Sequence, residues 1–99
     1  MADLIADPNE CLSPHWAHPR KDHVKLVWHE PFEGVTRVRA LAWTCDCRAV
    51  VYELLQAGGR AFIRKTIQAE PTPKVEETHR WSIEEARRVW LALLCGEMR

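Results

Sequence analysis

No run of this 99-residue sequence is apolar for long enough to cross a membrane, and Met1-Ala-Asp-Leu-Ile-Ala-Asp-Pro8 has neither the basic start nor the apolar stretch of a signal peptide. A cytoplasmic protein with no membrane association is the expectation. An excess of either charge is also missing, since fourteen Lys and Arg meet fourteen Asp and Glu. The whole-molecule field therefore supplies no drive toward nucleic acid or an anionic lipid surface. Internal repeats and low-complexity segments are absent, and no catalytic or ligand-binding motif with defined mechanics stands out. Without such a motif, an enzyme is not expected and no cofactor is implied.

What is present is an ordinary globular composition, 46% apolar and 28% charged, far from the charge-rich corner where chains stay disordered. A chain of this size buries about 60–70% of its unfolded surface, enough for one core. Charge is segregated locally: Val35 to Ala69 carries Arg37, Arg39, Arg48, Arg60, Arg64 and Lys65, whereas Glu70 to Glu85 is acidic. Of the four cysteines, Cys45 and Cys47 flank one residue on an expected turn and Cys95 falls on an expected helix, so free thiols are expected.

Residues 1–22 hold Pro8, Pro14 and Pro19 and no sustained periodicity, which reads as an irregular arm ahead of a single domain over 23–99. Val24-Lys-Leu-Val-Trp28 suits a short strand, Glu30 to Gly34 a turn, and Val35 to Thr44 a second strand running into Cys45-Asp-Cys47 as a hairpin turn. Gly58-Gly59 is the strongest local signal, because a two-residue hairpin loop needs positive φ and glycine supplies it without steric cost. It sets Ala57 opposite Arg60, Leu55 opposite Phe62, Leu54 opposite Ile63, Glu53 opposite Arg64 and Val50 opposite Ile67. Alternation then puts Val50, Tyr52, Leu54, Ala61, Ile63 and Ile67 on a core face. Val51, Glu53, Leu55, Phe62, Arg64 and Thr66 form an outer face with a cross-strand Glu53–Arg64 pair.

Glu70-Pro-Thr-Pro73 stops the hairpin, Lys74 to Arg80 resumes a strand, and Ser82-Ile-Glu-Glu85 is a capping box opening a helix to Met98. Ile83, Ala86, Val89, Trp90, Leu93 and Leu94 share one stripe, with Gly96 as terminator. The fold expected is α+β, an antiparallel sheet of three to four strands packed against one C-terminal helix.

Cys11, His15, His18 and His23 have zinc-ligand chemistry, but Cys-x3-His-x2-His-x4-His interrupted by prolines matches no paired-couple zinc signature. Cys45-x-Cys47 offers half a metal or redox site. Five tryptophans invite a stacking platform, yet pairing of Cys45 with Arg48 places Leu41 and Trp43 on the core face, and Trp90 faces the sheet from the helix. The outer face, where Val51, Leu55 and Phe62 are apolar beside Glu53 and Arg64, reads as a partner-binding surface for another protein or a second copy of the chain. Its competitor is an arm that folds across it through Leu4, Ile5, Leu12 and Trp16.

The stretches Cys47 to Thr66, Val75 to Thr78 and Glu85 to Arg99 resemble small uncharacterised actinobacterial proteins, a resemblance over about half the chain that implies no particular activity. The ending, a short strand followed by Ser82-x-x-Glu85, an apolar helix and Gly96-Glu-Met98, is distantly similar to BldB-like developmental regulators. Such a resemblance implies a small regulatory protein partnered with helix-turn-helix proteins. This chain lacks their N-terminal Trp-x-Lys-Ser-Ser and has Lys65-Thr66 where they carry Asp-Ser, so no site is carried over. The expectation is a non-catalytic binding or adaptor module in a regulatory assembly, acting through Val51, Glu53, Leu55, Phe62 and Arg64. The alternative is a transcription-associated nucleic-acid binder using Arg37, Arg39, Arg60 and Arg64, and third comes a zinc-binding or thiol enzyme.

Overall fold

The structure, a computed structural model, describes residues 13–31 and 37–99. Its centre is the Gly58-Gly59 hairpin, with Gly58 at φ 64°. Strands β2 (Val50–Ala57) and β3 (Arg60–Ile67) pair in the expected register from Ala57↔Arg60 to Val50↔Ile67. β1 (Arg39–Trp43) lies antiparallel to β2, and β4 (Lys74–Glu77) antiparallel to the second half of β3. β5 (Trp81–Ser82) pairs with Arg60 and Ala61 at the start of β3. The result is one antiparallel sheet ordered β1-β2-β3-β4, with β5 beside β4 on the same edge of β3.

The helix α1 (Ile83–Leu94) starts where Ser82 Oγ accepts the Glu85 amide at 3.2 Å, satisfying one of the donors a helix start leaves unpaired. It ends at Leu94 rather than Met98, because Gly96 at φ 81° turns the chain out of the helix. Ala86, Val89, Trp90 and Leu93 bury against Tyr52, Leu54, Ala61 and Ile63. Side chains the size of Leu54, Ile63 and Leu93 each contribute about 1.5–3 kcal/mol on such burial.

Two expected strands are altered. Val24–Trp28 forms only isolated bridges, Val24 with Met98 and, just beyond it, His29 with Glu77. The segment crosses from the C-terminal residues to the β4 edge instead of following one neighbour, so it cannot build a ladder. The expected Lys74–Arg80 strand is formed only over Lys74–Glu77, and the chain leaves it at Thr78. There the Thr78 hydroxyl accepts the Ile63 amide at 3.0 Å, while the Thr78 amide donates to Ile63 O at 2.9 Å. Thr44 does the same on the other edge, accepting the Tyr52 amide at 3.0 Å and donating to Tyr52 O at 2.9 Å. A buried threonine thus completes the ladder at the exits of β1 and β4. The expected strand from Val35 begins among residues 32–36, which lie outside the described residues, and is formed over Arg39–Trp43.

Ser13 to Pro31 has no helix or named strand, yet it belongs to the packed body. Ala17 N donates to Leu94 O, Arg20 N to Gly96 O and Val24 N to Glu97 O, all within 2.7–2.8 Å. Helix α1 covers the hairpin end of the core face; Trp16, Leu26 and Trp28 pack against the remainder of that core. Tyr52 sits between Trp16 and Trp28, with ring centroids 6.1 Å from each. Three cations lie over these rings: Arg48 over Trp16 at 4.7 Å, Lys65 over Trp28 at 4.3 Å and Arg99 over Trp16 at 5.0 Å.

Candidate functional site

The hairpin places Val51, Glu53, Leu55, Phe62 and Arg64 on one face, but it does not leave them equally open. Leu55 and Phe62 are 3% and 1% exposed and form a second cluster with Ala57. Their expected exposure is therefore corrected: they face each other across the β2–β3 ladder, and the Arg80 guanidinium stands 5.0 Å over the Phe62 ring. Arg64 is directed away from Glu53. Its Nε donates to Glu77 Oε2 at 2.8 Å across the β3–β4 ladder, where the carboxylate is nearly buried. The expected Glu53–Arg64 pair gives way because Glu77 also sits opposite Arg64, on the other neighbouring strand.

Trp43 occupies the open part of this face, contrary to its expected core position. The β1–β2 register shifts between Ala40 and Ala42, so Leu41 is extra and Trp43 falls opposite Glu53. It is 53% exposed. A groove of about 280 Å³ lined by Ser13, Trp43, Thr44, Asp46, Val51 and Glu53 lies on one side of it. Another of about 310 Å³, lined by Ser13, Pro14, Leu41, Ala42, Trp43 and Trp90, lies on the other. Of the residues expected to cover the outer face, Leu4, Ile5 and Leu12 lie outside the described residues, and Trp16 packs on the opposite, core face.

The four arginines of the nucleic-acid reading are not brought together. Arg37 precedes β1, Arg39 stands opposite Gln56 on the core-side register, Arg60 opens β3 beside the hairpin turn, and Arg64 is engaged by Glu77.

The donors considered for metal are also redistributed. Cys11 lies outside the described residues; His23 Nδ1 approaches Arg20 O at 2.6 Å, and His18 packs edge-on to Trp16. Of the described members of that set, His15 alone reaches a cluster, with Cys45 and Cys47, in which the donor atoms all lie within 4.8 Å of one another. His15 Nε2 is 3.0 Å from Cys47 Sγ. Sequence spacing could not find this group, since His15 and Cys47 are separated by 32 positions. The signal available was the Cys-x-Cys couple on a turn, half of a site awaiting a distant partner.

The same corner is tied by hydrogen bonds. Cys45 N donates to Pro14 O at 2.9 Å, Arg48 Nη1 to Trp16 O at 2.9 Å and Trp16 Nε1 to Val50 O at 3.0 Å. Gln68 Nε2 spans Asp46 O and Arg48 O at 3.0 and 2.8 Å. Two groups near Trp16 show perturbed proton affinity. Burial pushes the Tyr52 phenol above its ordinary range, with Arg99 opposing more weakly, and burial lowers the Arg99 value against the opposing effect of Tyr52.

No family model, curated protein or solved structure matches the chain. No helix among the described residues is long and apolar enough to cross a membrane.

Proposed function

We propose that this chain is a non-catalytic binding module that takes a protein partner on the open part of the outer sheet face, around Trp43. The carrying observation is a tryptophan held half-exposed by a strand bulge, opposite Glu53 and between two grooves. Large aromatics that fill a partner's pocket supply most of the energy of small interfaces. The neighbouring charges are acidic, Asp46 and Glu53, and they oppose a phosphate backbone. They suit a partner segment that joins an apolar anchor to Lys or Arg.

Affinity capture from native extract, run with and without nuclease, tests this reading. Wild-type protein is expected to retain a nuclease-insensitive protein partner, with Trp43→Ala weakening it about 30-fold or more and Glu53→Lys weakening it while the fold melts as before. Capture that ignores both substitutions, or that disappears with nuclease, overturns it.

A further inference from the structure

We propose that His15, Cys45 and Cys47 form a metal site for a borderline-soft divalent cation of the zinc class, serving as a structural staple between the Ser13–Ala17 segment and the β1–β2 connection. Two thiols and one imidazole converge from two distant stretches of chain, with all three donor atoms inside 4.8 Å. Tetrahedral zinc, with bonds of about 2.3 Å to sulfur and about 2.0–2.1 Å to nitrogen, holds such donors about 3.5–3.8 Å apart. The donor atoms thus stand within about an ångström of that spacing. A cysteine–histidine nucleophile would need one thiol beside the imidazole; here a second, Cys45, converges from a nearly buried position.

The scaffold is set before any metal arrives. Pro14 O holds the Cys45 amide, Trp16 O holds Arg48, and Gln68 bridges the carbonyls on either side of Cys47. Ligand positions are thereby pinned on both chain segments, the condition for tight rather than adventitious binding. Donor softness sets the metal class: thiolate with imidazole favours zinc over magnesium or calcium, which require oxygen. Each thiol releases its proton to solvent as its sulfur–metal bond forms, so affinity falls as pH is lowered. A closed structural site takes four ligands. His15, Cys45 and Cys47 supply three of these, and a water from solvent completes the tetrahedron.

The test titrates chelator-stripped full-length protein with Co²⁺ and then Zn²⁺. Expected are thiolate-to-cobalt charge-transfer bands saturating at one equivalent, displacement by Zn²⁺, and protection of Cys45 and Cys47 from alkylation while exposed Cys95 stays reactive. Zinc at about a hundredfold excess over its Kd raises Tm by about 10 °C or more. Cys47→Ser and His15→Ala are expected to lose the bands and the Tm rise, whereas Cys95→Ser and His23→Ala keep both. Should Cys47→Ser fail to fold, the wild-type spectrum and the alkylation pattern decide alone. Absence of charge-transfer bands, or a Tm and alkylation pattern indifferent to Zn²⁺, overturns the proposal.

Discussion

Thr78 shows what a single side chain does at a strand exit. Its hydroxyl accepts the Ile63 amide and donates to His79 O at 2.9 Å, in a site 1% exposed. Valine matches its shape but offers no acceptor, so Thr78→Val leaves a buried N–H unsatisfied without opening a cavity. The expected cost is about 1–3 kcal/mol, at about 4–8 °C of Tm per kcal/mol in a domain of this size. Thermal melts check it against exposed Thr72→Val, expected within about 0.5 kcal/mol of wild type. Neither threonine role was legible beforehand. A lone Thr at the end of a short strand looks like any strand residue, and only the departing chain on the far side makes its hydroxyl part of the ladder.

Among the elements, the hairpin and helix were legible and the arm was not, for a reason of range. Gly58-Gly59 and Ser82-x-x-Glu85 act within a few residues, so register and cap follow from adjacent positions. Trp43 was misplaced because a one-residue bulge at Leu41 inverts every later side chain, and nothing in the run Arg39 to Thr44 marks it. Ser13 to Pro31 pairs with partners 31 or more positions away, where local pattern is silent. Its attachment turns on Gly96, which combines φ 81° with a close approach: a Cβ there collides with the His18 carbonyl oxygen. Gly96→Ala therefore meets both a left-handed-backbone penalty and a backbone clash. The expected loss is about 2 kcal/mol or more, with faster hydrogen exchange at Ala17 and Arg20, whose amides bond to Leu94 and Gly96. Exchange that stays protected at those two amides would show that the arm is held independently of this turn.

For the whole molecule, sheet, arm and C-terminus meet at Tyr52. Its ring touches Trp16 from the arm and Trp28 from the segment that follows it, and lies beneath Arg99, whose guanidinium also bonds to the carbonyls of Leu93, Met98 and Ala17. Burial raises the phenol's pKa above the unfolded value of about 10, which means folding favours the neutral form. The sign of the linkage follows: this contribution is full below about pH 10 and is lost as pH rises through the folded value, because the unfolded chain ionises first. Tyr52 is the sole tyrosine, so tyrosinate absorbance titrates this residue alone. Its midpoint is expected to lie above that of the urea-unfolded chain. The stability of Tyr52→Phe, measured from urea midpoints between pH 7 and about 11, should fall less steeply above pH 10 than that of wild type. Parallel curves would mean that the phenol titrates in the folded protein as it does in the unfolded one, and that the junction of arm, sheet and C-terminus is open to solvent.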